Sequence, residues 1–105
     1  MKDSEAVLAV KFNSSMDPEK LLSVCHEDLG TFRGVPGLIQ KYYITEEETG
    51  AISGIYIFKN SKSREAFWNS ALARSIPARY GVIADTLRVE QYQMTIVLNE
   101  EVVDC

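Results

Sequence analysis

Two residues that occur once each in this 105-residue chain have side chains suited to chemistry. His26 is a candidate general base, because imidazole titrates near neutral pH. The alternative is a boundary residue half in water, since His26 lies at the edge of an apolar helical stripe. Trp68 is a candidate aromatic wall of a ligand pocket. Its alternative is a core residue, because it lies near the middle of a second apolar stripe.

The two cysteines indicate neither a disulfide nor a metal site. Cys25 lies inside a predicted helix, whereas Cys105 is the last residue. A bridge between these two positions is unfavourable, and no C-x-x-C spacing occurs. We interpret Cys25 as a small buried apolar residue and predict no bound metal.

Composition narrows the class of protein. The net charge of −4 and the absence of a basic cluster argue against nucleic-acid binding, since phosphates require a basic surface. No apolar run approaches the roughly 20 residues of a membrane helix, and the first residues lack the apolar core of a signal peptide. We therefore expect one domain over residues 1–105, with no membrane contact and a cytoplasmic location.

A predicted β-hairpin organises the chain. Leu38–Thr45 and residues 51–58 are rich in Ile, Tyr and Phe, and residues 46–50 between them are polar and end in Gly50. β-rich runs around a short glycine-containing turn are typical of paired strands.

Further elements flank the hairpin. Residues 5–13 form the first predicted strand, in which residues 6–10 are a continuous apolar run that indicates burial on both faces. Asp17 and Pro18 begin a helix that ends near Arg33, with an apolar face made by Leu21, Cys25, Leu29 and Phe32. A second helix is predicted over 62–76, ended by Pro77, and a fourth strand over 82–94. The tail, residues 95–105, either continues that strand or crosses to a partner subunit.

The order β-α-β-β-α-β predicts an α+β, ferredoxin-like fold with a four-stranded antiparallel sheet and both helices on one face. The strands are apolar on both sides, yet one side has no helices. An exposed apolar face of this size exceeds what soluble monomers tolerate. We therefore predict a homodimer, with a second copy packed on the open sheet face.

Several short segments resemble a known family. They are Pro36-Gly37-Leu38 followed by Lys41, then Gly54-Ile55-Tyr56-Ile57-Phe58, Ala66-Phe67 and Tyr80-Gly81-Val82. Over roughly residues 6–92 the chain is similar to the YdhR-like monooxygenases of the dimeric α/β-barrel superfamily. That superfamily also contains the antibiotic-biosynthesis and the haem-degrading monooxygenases.

The resemblance implies a pocket between sheet and helices in which a small aromatic or polycyclic phenolic substrate is oxidised by O2 without a cofactor. Such chemistry needs aromatic walls, a hydrogen-bond donor for the phenolate and a base. The implied catalytic residues are His26 as base, with Lys41 and Arg88 as charge stabilisers. The implied substrate-binding residues are Tyr43, Tyr56, Trp68 and Tyr80.

The same comparison argues against a cofactor. The haem-degrading branch uses an Asn on the first strand, a Trp on the second helix and a His at the end of that helix. Here Asn13 and Trp68 are present, but no His follows Trp68, so the axial ligand is missing. No G-x-G-x-x-G or other phosphate-binding loop indicates a flavin or nicotinamide.

The sequence is compatible with three hypotheses for the function. The first is a cofactor-independent monooxygenase, or a related isomerase or cyclase. The second is a non-catalytic dimeric module that binds a small apolar ligand. The third is a dimer whose partner is another protein, bound near the tail.

Overall fold

The computed structural model describes residues 5–98, which form a four-stranded antiparallel sheet and three α-helices. The order is β1 (Ala6–Phe12), α1 (Pro18–Arg33), β2 (Leu38–Thr45), β3 (Ile52–Phe58), α2 (Ser61–Trp68), α3 (Ala71–Arg79) and β4 (Arg88–Gln93), with a short 3-10 helix at Ala84–Thr86. This α+β, ferredoxin-like order confirms the predicted fold class.

The strands lie side by side in the order β2-β3-β1-β4. Along the two central strands, β1 and β3, successive side chains point to opposite faces of the sheet. The buried side chains that point towards the helices include Leu8, Val10, Tyr56 and Phe58. The helix-facing side of β1 and β3 is therefore the floor of the core.

α1 begins as the sequence predicts. The Asp17 carboxylate accepts hydrogen bonds from the main-chain N–H groups of Glu19 and Lys20, at 3.2 and 3.4 Å, and Pro18 occupies the first helical position. The helix buries Leu21, Val24, Cys25 and Phe32, whereas the predicted Leu29 is only partly buried.

The predicted second helix is in fact two helices. α2 ends at Trp68, and the Ser70 side chain accepts a hydrogen bond from the Ala73 N–H to begin α3. The prediction that Pro77 stops the helix was also wrong. α3 continues for two residues beyond Pro77, and the Val82 N–H then bonds to the Pro77 carbonyl, which closes the helix end.

The predicted fourth strand, residues 82–94, is shorter in the structure. Val82 forms only an isolated bridge with Ser14, and the 3-10 helix interrupts the segment before β4 begins at Arg88. No strand follows β4 as far as residue 98; the remaining part of the predicted tail, 99–105, lies outside the described residues.

A β-bulge in β2 changes which residues share a face. The sequence alternation places Leu38 with Gln40 and Tyr42, but the register with β3 shifts between Leu38 and Gln40. Leu38 therefore lies on the helix side together with Lys41 and Tyr43, because the extra residue reverses the alternation.

No helix of the described residues, 5–98, packs on the opposite side of the sheet. We define the open sheet face as Val7, Ala9, Tyr42, Ile55 and Ile57, which alternate with the core-facing residues. Tyr42 is 48% exposed, and Ile44 and Tyr92 at the two edges are each 51% exposed. Within residues 5–98, no helix combines the length and apolar character needed to cross a bilayer.

Candidate functional site

Lys41 is the one lysine of β2, and it points between the sheet and α1 instead of into water. Its Nζ lies 3.3 Å from the centroid of the Phe32 ring and 4.0 Å from that of Tyr43. It also donates a hydrogen bond of 2.8 Å to the Tyr43 hydroxyl. The bulge in β2 directs this side chain inwards, opposite Tyr56 on β3. The amine is thus held by aromatic surfaces and one hydroxyl.

From Lys41 a line of hydrogen bonds runs towards α1. The Tyr43 and Tyr80 hydroxyl oxygens are 3.0 Å apart, and the Tyr80 hydroxyl donates to Oδ2 of Asp28 at 2.7 Å. We call Lys41, Tyr43, Tyr80 and Asp28 the hydroxyl chain. It joins residues of β2, of α1 and of the end of α3.

Counting protons gives the hydroxyl chain a direction. Each tyrosine has a single hydroxyl proton. Tyr80 gives its proton to Asp28, so it must accept the proton of Tyr43. The Tyr43 oxygen is then left to accept from Lys41, as the 2.8 Å contact requires. Every donor in the line therefore points away from Lys41 and towards the carboxylate.

An ion pair fixes the carboxylate end. Arg79 donates to both oxygens of Asp28, at 3.2 and 2.9 Å, and also to Glu27 at 3.0 Å. These hydrogen bonds, together with that from Tyr80, hold the pKa of Asp28 below its ordinary value. The Asp28 side chain is 14% exposed, so the chain ends close to solvent.

Burial shifts the titration of the other members. Removal from water lowers the pKa of Lys41 to about 7, because the charged ammonium loses hydration. The same cause raises the pKa of Tyr43 to about 12, and it raises that of Tyr80 as well. At neutral pH the two phenols stay protonated, whereas a substantial share of Lys41 is the neutral amine.

The end of α3 holds Tyr80 in place. Gly81 has φ +63°, and a Cβ there would come within 2.7 Å of Met16 Cγ, so the tight passage requires glycine. The Ser14 hydroxyl donates to the Tyr80 carbonyl at 2.6 Å, and the Ser15 N–H donates to the Gly81 carbonyl at 2.8 Å. Bonds to the loop after β1 therefore fix this tyrosine.

Two spaces meet at Lys41. An internal cavity of about 10 Å³ has room for about one water molecule. Three members of the hydroxyl chain line it, namely Lys41, Tyr43 and Tyr80, together with Cys25, Tyr56 and Ile76. A surface groove of about 240 Å³ lies between the end of α1 and the start of β2. Lys41 lines both spaces.

Four of the seven predicted site residues come together at this point: Lys41, Tyr43, Tyr56 and Tyr80. The other three do not. His26 is exposed on α1, and Trp68 lines a separate surface pocket beside α2. Arg88 is exposed on β4, where its guanidinium donates to the carbonyls of Asp85 and Leu87.

Asp28 and Arg79 belong to the site but were not among the predicted residues. A signal for Asp28 was present: it lies three residues after Cys25 and four before Phe32, so it falls on the buried face of α1. Arg79 gives no comparable signal, because its role depends on a helix end that the sequence placed elsewhere. Within residues 5–98, no three His, Cys, Asp or Glu side chains are grouped to hold a metal ion.

Comparison with known sequences identifies the family. Residues 7–98 match the family described as "Putative mono-oxygenase ydhR". The chain belongs to this family. This result confirms the resemblance inferred from the short segments around Gly37, Gly54 and Tyr80. No curated protein matches the chain in sequence.

Solved structures with the same fold share little sequence with this member of the ydhR family. A mutant of SnoaB from Streptomyces nogalater, "a cofactor-independent oxygenase", is 16% identical, with a TM-score of 0.72 over 92% of this chain and 99% of that one. NE2512 from Nitrosomonas europaea, of unknown function, is 13% identical, with a TM-score of 0.72 over the whole of both chains. A "Putative antibiotic biosynthesis monooxygenase" from Bacteriodes thetaiotaomicron is 14% identical, with a TM-score of 0.64 over 99% and 100%.

Proposed function

We propose that this ydhR-family protein is a cofactor-independent monooxygenase acting on a small aromatic or polycyclic phenolic substrate. The observation that carries the proposal is the position of Lys41. Its amine heads a hydrogen-bonded line among aromatic rings, and the residue also lines a surface groove. Family membership supports a monooxygenase, and the similarity in fold to SnoaB, a cofactor-independent oxygenase, supports a reaction without a cofactor.

Neutral Lys41 is suited to act as the base. Its lowered pKa, about 7, leaves a lone pair available at physiological pH. The amine continues to donate one N–H to Tyr43, which orients the lone pair towards the remaining open side. When it takes a proton from the substrate, the resulting ammonium lies beside the substrate anion and stabilises it.

The oxidation then needs only the substrate and O2. A ring CH2 group conjugated with the phenol loses a proton to Lys41 and becomes an electron-rich anion. The anion gives one electron to O2, and the radical pair combines to form a C–O bond. The peroxide takes the proton back from Lys41, and loss of water leaves a carbonyl. The net change is CH2 plus O2 to C=O plus H2O.

The hydroxyl chain serves the ammonium form of Lys41. Charging a partly buried amine is unfavourable without a counter-charge. Asp28 supplies that charge through Tyr80 and Tyr43, whose protons all point towards the carboxylate. Asp28 and Arg79 are thus positioning residues, because they act through the tyrosines and touch no substrate.

We also propose that two copies pair through the open sheet face. Its central residues are apolar and no helix of residues 5–98 covers them, which supports a second sheet as the partner. Sedimentation should give the mass of two chains, and Ile55→Lys, at the centre of this face, should give one. A monomeric wild type would contradict the proposed dimer.

The predicted cytoplasmic location is likewise a proposal.

Oxygen uptake tests the enzymatic proposal. A panel of phenols with one to three fused rings and an acidic ring CH2 is added to the purified protein in an oxygen electrode. We expect uptake that Lys41→Met lowers about a hundredfold or more, since a positioned base contributes about 10²–10⁴-fold. The matched control is Lys20→Met, an exposed lysine of α1, which should behave as wild type.

Two outcomes would contradict this function. If ligands bind but no oxygen is consumed, the protein is the alternative, a dimeric module that binds a small ligand. If oxygen is consumed equally by wild type and Lys41→Met, the reaction takes place without the proposed base.

A further inference from the structure

The groove that Lys41 lines has both apolar and polar residues in its lining. The apolar ones are Leu29, Phe32, Leu38 and Ile39. At about 240 Å³ it lies below the usual range of about 300–1,000 Å³ for ligand pockets. These apolar walls suit a flat ring system of modest size.

The groove is lined by a positive charge and by no negative one. Arg33, from the last turn of α1, supplies a guanidinium beside the partly neutral Lys41, and none of the residues that line the groove carries a carboxylate. The whole chain, in contrast, has a net charge of −4. A positive groove in an acidic protein attracts anions and disfavours cations.

Gln40 adds a donor at the same place. Its side-chain carbonyl accepts the main-chain N–H of Lys41 at 3.0 Å, which leaves its NH2 group to donate. A guanidinium makes charge-assisted hydrogen bonds with a carboxylate, and Arg can bind both carboxylate oxygens at once. The neutral NH2 group of Gln40 is a further, weaker donor.

We infer that the substrate is an aromatic carboxylate, with its phenolic ring system at Lys41 and its carboxylate bound by Arg33. This inference rests on the proposed function for the phenol end, but the carboxylate end stands on the groove alone. Arg33 would select substrates, and Lys41 would act on them.

Binding of a matched ligand pair tests the inference by calorimetry. The probes are 6-hydroxy-2-naphthoic acid and its methyl ester, which differ in charge at the end opposite the hydroxyl. We expect wild type to prefer the acid by about tenfold to a hundredfold, the value of a charge-assisted hydrogen bond. The preference should shrink as salt is added, because the groove is open to solvent.

Variants assign the preference to one residue. Arg33→Gln should bind the two ligands equally. Arg33→Lys keeps the positive charge at the end of α1 but loses the two-pronged contact, so it should retain only part of the preference. Arg74→Gln, an exposed arginine on α3, is the control and should match wild type. If Arg33→Gln fails to fold, the binding preference of Arg33→Lys and the salt dependence of the wild-type preference test the role of Arg33 instead.

Three results would overturn the inference: equal binding of acid and ester by wild type, a preference that survives in Arg33→Gln, or no binding of either ligand at millimolar concentration. Oxygen uptake is measured separately. An acid preference without oxygen uptake would contradict the proposed enzyme and leave the carboxylate site standing, so the two failures are distinguishable.

Discussion

Two groups of aromatic residues lie on the same side of the sheet, and they differ in what their neighbours offer. The aromatic core, which is Phe32, Tyr56, Phe58 and Phe67, has ring centroids 5.1–6.2 Å apart and is almost wholly buried. The hydroxyl chain also contains aromatic rings, but its order depends on hydrogen bonds that end at a charged carboxylate.

This difference in neighbours distinguishes residues that only pack from residues that can transfer protons. Residue type alone does not distinguish them, because tyrosine occurs in both groups. Tyr56 packs in the aromatic core, whereas Tyr43 and Tyr80 each have one charged partner and one hydroxyl partner. The aromatic core should therefore govern stability, and the hydroxyl chain should govern proton transfer.

The largest effect should come from the aromatic core. Phe58 is fully buried, and Phe58→Ala removes a ring packed against Tyr56 and Phe67. We expect the free energy of unfolding to fall by about 3–5 kcal/mol, from lost burial and an unfilled cavity. Urea unfolding measures this. Two results would contradict the distinction between an aromatic core that governs stability and a hydroxyl chain that governs proton transfer. They are a fall in the free energy of unfolding of less than about 1 kcal/mol, and a shifted pH–rate profile of oxygen uptake in the folded variant.

Tyr80→Phe breaks the hydroxyl chain without removing the ring. It leaves Tyr43 and Asp28 each without one hydrogen-bond partner, so stability should fall by about 1–3 kcal/mol. The rate of oxygen uptake should fall about tenfold, and its pH profile should shift, because the ammonium form of Lys41 loses its link to Asp28. Tyr92→Phe, whose hydroxyl donates to exposed Glu90, is the control and should leave both unchanged.

The smallest effect is the pH dependence of stability. Lys41 has a pKa near 7 in the folded state and an ordinary value near 10.5 when unfolded. Between these values the unfolded chain binds more protons, so this group makes stability rise with pH, by at most about 1.4 kcal/mol per pH unit. The raised pKa of Cys25 acts oppositely above its ordinary value, since the unfolded thiol ionises first.

Subtracting the stability curve of Lys41→Met from that of wild type isolates the lysine contribution. The difference should increase from pH 7 to 8.5 and be flat below pH 6. A flat difference throughout would mean that Lys41 titrates as it does in water.

Local patterns predicted most of the fold. The cap at Asp17, the apolar run of β1, and the polar turn between the hairpin strands each depend on neighbouring residues only. The bulge in β2 and the break before Ser70 were missed. A bulge is set by the register with a partner strand, and Ser70 caps a helix only once α2 has ended.

The site was predicted in part for the same reason. Family resemblance pointed to Lys41, Tyr43, Tyr56 and Tyr80, and the fold brings them together. His26 was chosen for its chemistry alone, and the helix turns it outwards. Asp28 lies 52 positions before Tyr80, so their contact follows from the tertiary structure and from no sequence spacing.

The central claim is that the Lys41 amine is partly neutral at physiological pH. NMR of protein labelled with 13C at lysine Cε measures this directly, with Lys41→Met used to assign the signal. We predict a Lys41 midpoint near pH 7, well below the value of about 10.4 found for lysine in model peptides. A Lys41 midpoint close to that model value would contradict its role as the base.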